Sequence, residues 1–305
     1  MKAENLKSEQ RFANDDRGEA NMKLDLHTHS TASDGQYSPA EMVQKAKDAD
    51  LELYALTDHD TVAGQNEAIA KAKELGVRYI PGIEISTQEG EEIHILGLFI
   101  DPDNKILLEK CQIFEEDRRN RGKKIVAFLQ EKGIDISLEE VQKIAGNGSL
   151  GRPHFAEFLL EHGYVNSKKE AFTRYLNTQE FHRKAERIKP SPVEAIELIH
   201  QAGGKAVLAH PGLLKMGKQW QEELTTKLAA AELDGIECFY QKHTFMQTKF
   251  YLRLAKEHHL AITCGSDFHG EKVKPNVPFG MELDEKYREL LLTPVEQETG
   301  LKREI

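Results

Sequence analysis

The chain has no apolar run approaching the ~20 residues that a membrane-crossing helix needs. Cysteine is scarce: Cys111, Cys238 and Cys264 are odd in number, far apart and form no close pair. That excludes a disulfide scaffold or a thiolate zinc finger and suits a reducing, cytoplasmic compartment. Positive charge is in deficit, with 41 Lys and Arg against 51 Asp and Glu for a net −10. Such a balance argues against a general nucleic-acid coat or a membrane-surface binder. Internal repeats and low-complexity tracts are missing. Residues 1–21 hold only Leu6 and Phe12 as large apolar groups, so they lack the apolar stretch of a secretory signal. They read as a disordered N-terminal extension, with Met22 a second candidate start.

What is there is enough apolar material for a sizeable core: 305 residues, 39% of them hydrophobic. Length alone fits two domains or one large α/β barrel. From Lys23 on, short apolar runs alternate with amphipathic stretches. The runs are Met22 to Leu26, Leu51 to Leu56, Val77 to Ile85, Ile93 to Ile100, Ala206 to Ala209, Ile236 to Tyr240 and Leu260 to Cys264. Helix starts are marked by Ser38-Pro39-Ala40-Glu41 and by Ser191-Pro192-Val193-Glu194: cap serine, proline first, glutamate third. Gly76 is the expected stop of the helix beginning near Asn66. Buried strands alternating with helices predict parallel βα units, wound as an open sheet or closed as a barrel.

Residues 101–190 interrupt that alternation. They read as helices only, about Lys105 to Lys132, Leu138 to Ala145, Arg152 to Glu161 and Lys168 to Leu176. With 17 basic and 15 acidic residues the segment is +2, leaving −12 for the rest. It is expected to be a helical insertion or lid, dividing a body of residues 22–100 and 191–305, the latter including a C-terminal tail.

The 13 histidines are the unusual feature, and many follow strand ends. The first strand runs into His27, His29 and then Asp34. The second ends in Asp58-His59-Asp60. Glu84 lies between Ile83 and Ile85, and His94 between Ile93 and Ile95. The fifth run leads to His210, and the seventh to Asp267 and His269. In a parallel α/β fold the carboxyl ends of strands converge on one face. Nine candidate ligands, six His and three carboxylates, exceed one tetrahedral site, so two or three ions are expected. Imidazole and carboxylate suit Zn, Mn or Fe.

Charge then selects the substrate. Asp34, Glu84 and Asp267 supply −3 and three divalent ions +6, so an anionic substrate such as a phosphate ester is expected. The ions would bring a bound water towards neutral pKa for in-line attack on phosphorus. Asp58 or Asp60 could orient the His59 ring, with solvated capping as the competing role. Cys264 reads as a small buried hydrophobe. His258 and His259 end a helix and carry no chemistry.

The runs LDLHTHSTASDG (24–35), LTDHDT (56–61), PGIEIS (81–86), HILG (94–97), LAHPG (208–212) and GSDFHG (265–270) resemble the motifs of PHP-domain metal-dependent phosphoesterases. The resemblance spans about residues 22–280 with every block in order. It implies a distorted (β/α)7 barrel with a trinuclear centre. His27, His29, Glu84 and Asp267 would hold one ion, Glu84, His94 and His210 a second, and Asp34, His59 and His269 a third. The insertion's Gly151-Arg152-Pro153-His154 resembles the bacterial branch with 3′,5′-nucleoside bisphosphate phosphatases and RNase AM-type 5′→3′ exonucleases.

Arg152 and His154 are therefore expected to bind substrate phosphate, with His154 also able to donate to a leaving oxygen. His243 is a weaker candidate for a distal phosphate or sugar. The cluster Arg118, Arg119, Arg121, Lys123 and Lys124 reads as a solvated helix face, since Glu115, Glu116 and Asp117 precede it. The expected partner is a nucleotide or short oligonucleotide, without a membrane or an obligatory protein. Competing readings are a histidinol-phosphate-type phosphatase, a metal-binding module without turnover and a metal-dependent amidohydrolase.

Overall fold

A computed structural model describes residues 21–146, 150–185 and 189–291, with the Arg119 side chain excepted. Except for Asn21, the expected N-terminal extension lies outside the described residues, as does the C-terminal tail from 292 onward. The first half of the body contains β1 (Asn21–Asp25), α1 (Pro39–Asp48), β2 (Leu53–Leu56), α2 (Gln65–Leu75), β3 (Tyr79–Glu89) and β4 (Glu91–Leu98). Five helices follow: α3 (Lys105–Glu131), α4 (Leu138–Ala145), α5 (Arg152–Glu161), α6 (Lys168–Ala171) and α7 (Gln179–Ala185). A π-helical turn, Phe172–Leu176, extends α6. The chain then returns through α8 (Pro192–Gln201), β5 (Lys205–Leu208), α9 (Lys218–Ala230), β6 (Gly235–Tyr240), α10 (Phe245–Glu257), β7 (Ala261–Gly265) and β8 (Met281–Asp284).

The start signals act as read. Ser38 Oγ accepts from the Glu41 N–H while Glu41 Oε2 accepts from the Ser38 N–H, at 3.3 and 2.8 Å. Ser191 and Glu194 repeat this capping box. Gly76 ends α2 in the left-handed region, φ 65°.

The eight strands form one sheet in the order β7-β6-β5-β4-β3-β2-β1-β8. Past β1 and β7 the chain zips the sheet into a nearly closed barrel. Leu26 N–H donates to Cys264 O (3.1 Å), Asp267 N–H to His27 O (2.8 Å) and His29 N–H to Phe268 O (2.9 Å).

Strict parallel alternation does not hold. β3 and β4 are an antiparallel hairpin, with Glu89 opposite Glu91 across Gly90 at φ 72°. One residue cannot make a parallel crossover, which needs a dozen or more, whereas glycine takes a left-handed φ freely. β4 also pairs antiparallel with β5, and β8, an unforeseen short strand, pairs antiparallel with β1.

The main core lies inside the sheet and beneath its helices, including Leu24, Ile83, Ile95, Ile196, Val207, Ile236 and Ile262. A smaller cluster seats α1 and α2 on β2 through Met42, Val43, Tyr54 and Leu56. The helices of the 101–190 segment enclose an apolar cluster of their own around Phe128, Phe155, Phe158 and Phe181. Among the described residues, no helix is long and apolar enough to cross a membrane. Phe158 is fully buried, so Phe158→Ala is expected to lower unfolding stability by about 3–5 kcal/mol, measured by urea denaturation.

Candidate metal centre

The carboxyl ends of the parallel strands deliver most of the polar side chains, with Glu84 coming from within β3 and His94 from within the antiparallel β4, and the backbone twists at several positions. Asp60, His210 and Asp267 all have positive φ, at 57°, 28° and 57°, which non-glycine residues rarely adopt. Such strain persists where surrounding bonds over-determine it. All nine sequence-predicted donors meet in one pocket at the barrel mouth.

Glu84, wholly buried on β3, is the hub. Its Oε2 lies 3.3 Å from His27 Nε2, 3.2 Å from His29 Nε2 and 2.9 Å from His59 Nδ1. Its Oε1 lies 2.8 Å from His94 Nδ1 and 3.0 Å from His210 Nε2. Asp267 Oδ1 sits 3.4 Å from His29 Nε2 and 3.3 Å from His269 Nδ1. Asp34 Oδ1 stands 3.4 Å from His269 Nε2, and Asp34 Oδ2 lies 4.0 Å from His59 Nε2.

Four groups have donor atoms within 4.8 Å of one another: His29-Asp34-His59-His269, His27-Glu84-His210, His27-His29-Asp267 and His59-Glu84-His94. These groupings put His94 with His59 and His210 with His27, a finer division than the motif resemblance implies.

The donor set fits cations on a further ground. Among the described residues, His27 Nε2, both His29 ring nitrogens, His59 Nδ1 and Glu84 Oε2 are buried without a hydrogen-bond partner. Polar atoms so placed are costly unless something else satisfies them. A divalent ion bound by nitrogen and oxygen donors would do so.

Around these donors stands a layer of groups that hold them, partly missed in the sequence. Glu237 is wholly buried; its Oε1 lies 3.1 Å from His27 Nδ1, and its Oε2 accepts from the His210 N–H at 2.6 Å. The signal was available: Glu237 stands between Ile236 and Cys238 in an apolar strand, just as Glu84 does between isoleucines. Asp25 accepts from the Ser266 N–H and hydroxyl, and Asp58 from the Ser30 N–H and from the Ser30 and Ser33 hydroxyls. Asp58 thus pins the loop after β1 and does not orient the His59 ring.

Asp60 does not orient it either. It accepts from the Ser86 N–H and pairs with Arg118 at 2.7 Å. The Arg118 side chain therefore does not belong to a solvated face. It reaches from α3 to the strand-end loop. Tyr240 OH and Lys274 Nζ both donate to Asp267 Oδ2, at 2.9 and 2.7 Å. With Oδ2 so engaged, Oδ1 is the oxygen that Asp267 turns towards His27 and His29.

The predicted substrate residues sit differently. His154, half-buried on α5, accepts from the Gly151 N–H through Nδ1 at 3.0 Å. Burial lowers its pKa, with Asp34 near enough to oppose this, and since Nδ1 accepts, the proton of the neutral ring is on Nε2. Arg152, at the first helical position, has no carboxylate within ion-pair reach among the described residues. His243 differs from both. Its Nδ1 donates to Cys238 O (3.1 Å) and its Nε2 accepts from the Gly212 N–H (3.0 Å), so the ring fixes a turn. A Cβ on Gly265 would lie 2.3 Å from His27 Cβ and 2.5 Å from Glu237 Oε1, which only glycine avoids.

Packing imidazoles among carboxylates shifts both. Burial opposes the charge on His29, but Asp267 and Glu84 outweigh it and hold the ring at about 9. His94, buried between Glu84 and Glu92, is likewise pushed up to about 10. Burial works to raise Glu84, yet His59, His27 and His94 hold it well below the carboxylate range.

These rings therefore carry protons at neutral pH, and a cation must displace them. Metal affinity should rise with pH through the range below 9, about tenfold per unit for each proton displaced. Loading followed by calorimetry in buffers of different ionisation enthalpy checks this. Glu237→Gln should weaken affinity about 10- to 100-fold by loosening His27, read by competition with a chelator dye.

A family model described as PHP domain matches residues 25–293. The chain belongs to the PHP domain family. Over 255 residues it is 38% identical to the 5′-3′ exoribonuclease Rnm of Escherichia coli (strain K12), covering 80% of this chain and 84% of that protein. It is 34% identical over 252 residues to a 3′,5′-nucleoside bisphosphate phosphatase of Chromobacterium violaceum, covering 81% and 87%. A Chromobacterium violaceum structure described as an amidohydrolase with bound sulfate and no metal superposes with TM-score 0.73 at 32% identity, over 88% of this chain and 95% of that one. A Bifidobacterium adolescentis structure assigned as a metal-dependent phosphoesterase gives TM-score 0.72 at 28% identity, over 90% and 97%. This PHP protein is a hydrolase of the phosphoesterase type, with clusters suited to divalent metals.

Proposed function

We propose that this PHP protein hydrolyses phosphate esters of nucleotides, as a 3′,5′-nucleoside bisphosphate phosphatase, a 5′→3′ exonuclease on short 5′-phosphorylated oligonucleotides, or both. The observation that carries the reading is Glu84, wholly buried and reached by five imidazoles, with partnerless donor atoms around it. His27, His29, Asp34, His59, Glu84, His94, His210, Asp267 and His269 would hold two or three divalent ions, Mn, Fe or Zn. Bound there, the ions supply positive charge for phosphate oxygens and acidity for the attacking water.

The chain's own residues do the rest. Arg152 offers a planar fork of N–H groups to a phosphate from the first turn of α5. His154 presents an Nε2–H donor to a phosphate or leaving oxygen from a neutral ring. Lys274, 30% exposed beside Asp267, adds positive charge at the same mouth. Glu237 and Asp58 spend their charge on hydrogen bonds behind the imidazoles, so the filled mouth still favours an anion. The helical segment 101–190 would act as the lid that carries Arg152 and His154. A cytoplasmic location accords with the three free, buried cysteines.

The likeness to a structure described as an amidohydrolase favours one second reading, amide hydrolysis at the same ions. Incubating manganese-loaded protein with adenosine 3′,5′-bisphosphate, short 5′-phosphorylated RNA, histidinol phosphate and a panel of N-acyl amides separates these readings. The expected ranking by kcat/KM puts a nucleotide substrate first, and turnover of amides alone would overturn the proposal. His29→Ala and Asp267→Ala should abolish activity and lose bound metal. Arg152→Ala should raise KM about 10- to 100-fold with metal content intact, assayed by elemental analysis.

A further inference from the structure

The turn after β5 and the start of α10 after β6 carry exposed apolar side chains at the rim of the barrel mouth. Leu213, Phe245 and Met246 are 44%, 56% and 63% exposed. Both segments start from the metal pocket. Gly212, two residues past His210, donates its N–H to His243 Nε2 (3.0 Å), and its carbonyl accepts from Gln247 Nε2 (2.8 Å). This double tether sets Leu213 beside the first turn of α10, where Phe245 and Met246 lie. The rings of His210, Tyr240 and His243 form a continuous path from pocket to rim, with centroids 5.6 and 5.2 Å apart.

Positive charge predominates around this patch, where the Glu91 carboxylate, accepting from the Lys215 N–H at 3.0 Å, faces three lysines. Lys215, Lys242 and Lys249 are exposed, and among the described residues none has a carboxylate within ion-pair reach. Some other lysines are paired, as in Lys71–Glu74, Lys132–Glu180 and Lys227–Glu89. Lys249 Nζ instead lies 4.3 Å from the Phe245 ring centroid. On a chain of net −10, a patch of unpaired cations and an exposed ring points to an anionic, flat ligand.

We propose that this rim is a stacking subsite for the nucleobase that follows the scissile linkage of a short single-stranded RNA. The inference rests on the nucleotide phosphoesterase reading and adds the path of the strand. The 5′ phosphate is held beneath Arg152 and His154, and the next base lies on Phe245, flanked by Leu213 and Met246. The lysines meet the phosphates beyond. Single-strand sites combine these two elements, an aromatic face and a positive track, and tolerate any base.

The test compares metal-loaded wild type, Phe245→Ala, Phe245→Trp and Met246→Ser on three substrates. These are a 5′-phosphorylated adenosine dinucleotide, the same molecule lacking its second base, and adenosine 3′,5′-bisphosphate. Phe245→Ala should raise KM and the dissociation constant for the dinucleotide about 5- to 100-fold, with fluorescence polarisation as the binding readout. Values for the other two substrates should stay within about twofold, and Phe245→Trp should restore the dinucleotide.

Unchanged or equally changed values on all three substrates would overturn the subsite while leaving the phosphoesterase reading intact. Loss of metal or of thermal stability in both Phe245→Ala and Met246→Ser would overturn it too, as would wild-type self-association in sedimentation that Phe245→Ala dissolves. Absence of both turnover and binding by wild type on every substrate would remove the parent reading along with it.

Discussion

A carboxylate sealed from water among imidazole rings is the constraint to which the rest of the molecule answers. Glu84 is wholly buried with five histidines from four strands around it, and several of the facing atoms have no hydrogen-bond partner among the described residues. Removing such a charge from water costs several kcal/mol unless strong partners replace the solvent. The rings offer partial compensation by keeping protons, and cations would complete it. The barrel is what makes the arrangement possible. Parallel β1, β2 and β3 bring His27, His59 and Glu84 to one level, and the zipper of backbone bonds between the ends of β1 and β7 adds Asp267 and His269.

The layer behind the donors matters as much as the donors. Glu237 fixes the His27 ring and the His210 backbone together, Asp25 clasps Ser266, and Asp58 clasps Ser30 and Ser33. Each clasp joins two strand ends that lie far apart in sequence, so the pocket is assembled by folding and not by any local motif. Arg118 extends the same logic to the helical segment, since its bond to Asp60 ties α3 to the loop that carries His59.

Much of this was legible in the order of residues. An ionisable group at the end of a buried strand has few explanations other than chemistry, and six such ends in one register identified the donors His27 through His269. The capping serines and the proline after each located α1 and α8. Legibility failed where a contact spans long sequence distance or breaks the dominant pattern. The β3–β4 hairpin was hidden because its runs resemble the strands of βα units, and only Gly90 betrays the reversal. β8 is four residues long and half polar. Arg118 was masked by the acidic run before it, its partner lying 58 positions away. Glu237 is the instructive miss: it carried the same signal as Glu84, a carboxylate inside an apolar strand, but lay outside the motif blocks that drew attention to Glu84.

The left-handed backbone at His210 and Asp267 has an evolutionary corollary. Glycine or asparagine would sit more comfortably at either position, so the chain keeps an uncomfortable residue at the cost of heat tolerance. A laboratory lineage selected only for thermal robustness would drift towards relaxed residues there and arrive at hardy, inert descendants. The same two positions would then distinguish working members of such a lineage from those that retain the barrel alone.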